Sequence, residues 1–73
     1  MKLLDKNQAL EKLNSMGLNI NMRQLTRAAS PNERNRRALP FFKDPITGKL
    51  VIEEEALLNA YRVAQATAIK ESG

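Results

Sequence analysis

The chain has no cysteine, no histidine and no tryptophan, and only two phenylalanines and one tyrosine among 73 residues. Without cysteine, no disulfide can staple a domain this small. Without cysteine and histidine, a zinc site lacks its usual ligands, and the carboxylates show no metal-ligand spacing. The same absences remove the common nucleophiles and bases. No glycine-rich loop is present to cradle a phosphate. The expectation is therefore a binding protein rather than an enzyme, with no cofactor and no metal. No apolar run is long enough to span a bilayer, and no signal-peptide pattern opens the chain. That favours a cytoplasmic protein with no membrane partner.

The remaining composition is that of an ordinary folded domain, 42% hydrophobic and 27% charged. Its length allows one domain, residues 1–73, with a modest core. The informative quantity is where the charge lies. Residues 20–37, INMRQLTRAASPNERNRR, hold five arginines and one glutamate, a net charge of +4, which equals the net charge of the whole chain. The segments on either side nearly cancel: +1 before residue 20, +1 over 38–52 and −2 from Glu53 onward. A basic excess confined to one short stretch points to a polyanion.

Two capping signals organise the first half. Asp5 and Gln8 have capping-box spacing, and Ala9, Leu10, Leu13 and Met16 recur at helical intervals behind them. Gly17 suits the left-handed residue that ends such a helix, with Leu18 folding back on the last turn. After Gly17-Leu18-Asn19-Ile20 the signal repeats, with Asn21 as N-cap and Gln24 three residues on. Met22, Leu25, Ala28 and Ala29 then share one side of a short helix; Arg23, Gln24, Thr26 and Arg27 share the other. Two helices joined this way have helix-turn-helix spacing, which an ordinary helical hairpin shares.

Ser30, Pro31 and Glu33 form a third capping pattern. Residues 31–37 have no apolar face, so the segment reads as a short helix or as a loop. Its arginines, Arg34, Arg36 and Arg37, suit phosphate contact in either form. Two apolar runs then flank Asp44-Pro45-Ile46-Thr47-Gly48, where proline and glycine mark a tight turn. This predicts a hairpin of residues 40–43 with 49–52, Lys43 and Lys49 beside its tip, and Phe41 or Phe42 facing the core. Glu53-Glu54-Glu55 opens a last helix reaching about residue 70. Leu57, Tyr61, Ala64 and Ala68 form one stripe along it, and Ala56, Ala60 and Val63 a second. Its first half suits the core, and its second half suits a partner helix or a second copy of the chain.

In this order of elements the chain resembles the excisionase and MerR-like winged helix-turn-helix superfamily of phage and mobile-element proteins. The matching residues are Ala9-Leu10, Met22-Arg23-Gln24-Leu25, Arg37-Ala38-Leu39-Pro40, Lys49-Leu50-Val51-Ile52 and Glu54-Glu55-Ala56-Leu57, within residues 4–61. Two features depart from the pattern: the added polar stretch 30–36, and the missing aromatic in the second helix. The resemblance implies a mainly α fold with a small β-hairpin, a winged helix-turn-helix. It also implies specific duplex DNA binding in a bacterial or phage-infected cell, as an excisionase, a small transcription regulator or a DNA-packaging recognition subunit.

On that reading the helix at 22–29 enters the major groove. Arg23, Gln24 and Arg27 reach base edges, because arginine suits guanine and glutamine suits adenine. Thr26, Arg34, Arg36 and Arg37 hold the DNA backbone, and Lys43 and Lys49 flank the wing. Two alternatives compete with it: a protein-interaction module that docks through the C-terminal helix, and an RNA-binding protein.

Overall fold

The N-terminal strand is the element the sequence pattern did not disclose. A computed structural model describes residues 1–72 of the chain. It consists of β1 (Leu3–Asp5), α1 (Lys6–Ser15), α2 (Met22–Ala29), β2 (Phe42–Lys43), β3 (Leu50–Glu53) and α3 (Glu54–Ser72). The strands form one antiparallel sheet in the order β1-β3-β2. The expected hairpin is present but shorter than residues 40–43 and 49–52, with Phe42 opposite Val51 and Lys43 opposite Leu50. It is one side of a three-stranded sheet, because β1 pairs along the other edge of β3, with Leu4 opposite Ile52. A three-residue strand carries too little alternation to be recognised in sequence. It exists through pairing with a segment some fifty residues away.

Alternation along the strands sets the core. Leu4 and Ile52, directly paired, are both buried. Phe41 is buried just ahead of β2, while Phe42 is 43% exposed on the opposite face, beside Val51. The core is completed by Ala9 and Leu13 of α1, Leu25 and Ala29 of α2, Leu39, and Leu57 of α3. No polar or charged residue is buried among the described residues. Met16, read as part of the apolar stripe of α1, is 47% exposed, because the helix already ends there.

Helix ends follow their capping chemistry. The carboxylate of Asp5 accepts from the Gln8 amide at 2.8 Å, and the Gln8 side chain accepts from the Asp5 amide at 3.0 Å. At the other end the Gly17 amide donates to Asn14 O at 3.1 Å and the Leu18 amide to Leu13 O at 3.2 Å. These are the paired bonds of a Schellman motif, and Gly17 takes the left-handed φ of 106° that the motif requires. The connection to α2 is clamped by Asn14, whose side chain donates to Ile20 O and accepts from the Ile20 amide.

Helix α3 follows β3 without a loop, and the Glu54 amide donates to Lys2 O at 2.8 Å. Its packing ends early. Leu57 is fully buried and Tyr61 half-buried, but every residue from Arg62 to Glu71 is exposed. No helix among the described residues is long and apolar enough to cross a membrane.

Candidate nucleic-acid interface

Helix α2 presents its basic side to solvent because its other side is spent on the core. Leu25 and Ala29 are buried, and Met22 and Ala28 pack against them. At 3.6 residues per turn, Arg27 points directly away from this face, Arg23 lies next to it, and both are exposed. Four residues apart, their guanidinium groups sit one turn from each other. Thr26 lies at the margin, half-buried.

Gln24 has a structural duty as well. Asn21 Oδ1 accepts from the Gln24 amide, and Gln24 Oε1 accepts from the Asn21 amide, both at 2.9 Å. The capping box expected from sequence is complete. A bidentate contact with adenine uses the glutamine oxygen as well as its amide group. With the cap closed, the Asn21 amide occupies one lone pair of Gln24 Oε1, which leaves the second lone pair and the Nε2 donors for an external partner.

Residues 31–37 are a loop, not a helix. Ser30 is occupied at the end of α2, where its amide donates to Arg27 O and its hydroxyl to Thr26 O. Its hydroxyl oxygen keeps lone pairs that could accept from a following helix, so what denies residues 31–37 a helix is their lack of an apolar face. The loop closes on Asn32 instead. Asn32 Oδ1 accepts from the amides of Arg34 and Arg36 at 2.9 and 3.0 Å. The Asn32 amide donates to Arg36 O at 2.8 Å, and Asn35 adopts a left-handed φ of 58°, which asparagine tolerates. Arg34 and Arg36 project from this turn, both exposed.

Arg37 differs from its neighbours. Its Nε donates to Ala29 O at 2.8 Å, across the end of α2, and the side chain is half-buried. A cation there satisfies a carbonyl that the helix leaves open and favours the negative end of the macrodipole. The Leu39 amide donates to Ala28 O at 3.2 Å. Both ends of the arginine loop are thus tied to the last turn of α2.

The hairpin lies at the other end of the helix. Lys49 and Leu50 line an open cleft of about 480 Å³ together with Met22, Asp5, Lys6 and Asn7. The stem of the hairpin therefore neighbours the first turn of α2. Lys43 and Lys49 are both exposed. The hairpin stem thus lies near the start of α2, and the arginine loop is tied to its end. The ion pair formed among the described residues joins Lys2 to Glu54 at 3.8 Å, and no acid pairs with the arginines of residues 20–37 there.

Asn32 and the anchoring role of Arg37 were not foreseen. An asparagine two residues after a helix-ending serine was the available signal for such a turn. Comparison with protein-family models, with curated proteins and with solved structures finds no match to this chain, so the reading of this surface rests on its geometry and charge.

Proposed function

We propose that this protein is a winged helix-turn-helix that binds duplex DNA, with α2 in the major groove and the β2–β3 hairpin as wing. The observation that carries the proposal is that the exposed cations of hairpin, α2 and loop form no ion pair among the described residues. Arg23 and Arg27 read base edges, Arg27 from the centre of the exposed face. Gln24 holds the helix end and adds donors. Thr26, Arg34 and Arg36 contact phosphates, Arg37 fixes the loop that carries them, and Lys43 and Lys49 meet the backbone beside the wing. Duplex RNA is disfavoured, because the deep and narrow major groove of an A-form helix does not admit α2. The setting implied by the family resemblance, excision, small-scale transcription control or DNA packaging in a phage or mobile element, is part of the proposal.

A second reading draws on α3. Val63 is 56% exposed beyond the core, and Ala28, Ala38, Leu39, Ala60, Tyr61 and Ala64 line a groove of about 260 Å³ at the root of this overhang. That surface suits a partner helix or a second copy of the chain, and it is compatible with DNA binding by α2.

Selection of bound sequences from random duplex DNA tests the main reading. A recovered motif whose information is lost in Arg23→Ala and Arg27→Ala supports it. Recovery of no motif, or a motif that shifts with Arg36→Ala and is untouched by Arg23→Ala, refutes the assignment of α2 as the reading element.

A further inference from the structure

The tip of the β2–β3 hairpin carries an apolar side chain that the fold does not use. Ile46 is 91% exposed. The turn that displays it is held by five hydrogen bonds. The Asp44 amide donates to Lys49 O and the Gly48 amide to Asp44 O, each at 2.8 Å. The Ile46 amide and the Thr47 hydroxyl donate to the two Asp44 carboxylate oxygens at 3.0 and 2.9 Å, and the Lys49 amide donates to Thr47 Oγ1 at 3.3 Å. Pro45 stiffens the turn further, and Gly48 supplies its left-handed corner at φ 74°. The one acid of the tip is thus turned inward onto the turn itself. The exposed charges beside the tip are Lys43 and Lys49, one on each side of the stem.

We propose that Ile46 is an apolar wedge that the hairpin inserts into the minor groove of duplex DNA, bending the duplex where it enters. The inference rests on the DNA-binding reading and adds deformation to it. A two-stranded ribbon with its side chains is wider than a B-form minor groove, which is about 6 Å across. Only the narrow turn can enter, and Ile46 is its exposed large apolar side chain. Apolar side chains driven between base steps from the minor groove partly unstack them and kink the duplex by about 20–90° toward the major groove. Lys43 and Lys49 then face phosphates on the two rims, which fixes the depth of entry. Pyrimidine–purine steps unstack most easily, so a wedge here selects TA or CA/TG steps without hydrogen-bonding to them. A protein partner fits the tip less well. One isoleucine between two lysines falls far short of the roughly 1,000 Å² that a stable protein interface requires.

The test is bending of a short dye-labelled duplex carrying the selected site, read by energy transfer between its ends, with the full chain and with Ile46→Ala and Ile46→Ser. Because Ile46 lies outside the core, both variants keep the wild-type melting midpoint. The expected result is a bent complex with the wild type. Each variant loses at least half of the bend, binds about tenfold more weakly and loses its preference at one pyrimidine–purine step. A wild-type complex on straight DNA, or an equal bend with Ile46→Ala, overturns the wedge while leaving α2 recognition standing. Loss of binding to anionic vesicles in Ile46→Ala, with the DNA bend unchanged, overturns it in favour of a membrane surface. Failure of the wild type to bind any duplex sinks the DNA reading and the wedge with it.

Discussion

Replacing Arg37 with alanine separates an arginine that builds the surface from those that are displayed on it. Its Nε–H···O bond to Ala29 is charge-assisted, short at 2.8 Å, and closes an open carbonyl at the end of α2. Hydrogen bonds to charged groups contribute about 1.5–3 kcal/mol. Half-burial places this one toward the low end, so Arg37→Ala should cost about 1–2 kcal/mol. A domain of this length is held by only about 4–11 kcal/mol, and each kcal/mol moves its midpoint by about 4–8 °C. The expected fall in Tm is therefore about 5–15 °C. Arg34→Ala and Arg36→Ala remove exposed side chains and should stay within about 0.5 kcal/mol of wild type. Urea titrations followed by circular dichroism measure all three. If Arg37→Ala has the same midpoint as Arg36→Ala, the bond to Ala29 contributes nothing, and the loop is not pinned as described.

Other consequences are as direct. Asn21→Ala removes one half of the capping box of α2 and should cost about 0.5–2 kcal/mol in the same titration. The Ile46 amide, with help from the Thr47 hydroxyl, holds the Asp44 carboxyl below the usual aspartate range. Its contribution to the turn is complete above that range and is lost as the pH falls through the lowered value. Amide shifts of Ile46 and Thr47 should accordingly titrate below about pH 3.9, and a transition above it would contradict the bonding. Deleting the chain from Ala64 onward removes exposed helix and should leave the circular dichroism transition of the core cooperative. It should weaken self-association in sedimentation, whereas an unfolded truncation would place that segment in the core.

Most of this architecture is written locally. Asp5 with Gln8 and Asn21 with Gln24 state where two helices begin, and Gly17 states where the first ends. Asp44, Pro45 and Gly48 specify the turn between β2 and β3. These signals act within five residues, so they are legible in a single sequence. The failures are nonlocal or competitive. Strand β1 depends on β3 across the chain. The pattern Ser30–Pro31–Glu33 does not start a helix, because residues 31–37 offer no apolar face to the core and the backbone turns on Asn32 instead. The arginines at 34, 36 and 37 are alike by composition, but only Arg37 meets a helix end, which becomes visible once Leu39 is seen bonded to Ala28. The arginine side of α2 was legible, because a buried Leu25 and Ala29 leave Arg23 and Arg27 no other side to occupy, but Thr26, grouped with them by spacing, is half-buried at its margin.

The central claim is that cations left without acidic partners along hairpin, α2 and loop await the phosphates of a duplex. The measurement that meets it most directly is the affinity of the full chain for its preferred duplex as a function of salt. Engagement of about four to six cations predicts a log–log slope of roughly −3 to −5, reduced by about one unit in Arg34→Ala and again in Arg36→Ala. A slope near zero, or no binding at low salt, would contradict the account and leave the overhanging half of α3 as the surface to pursue.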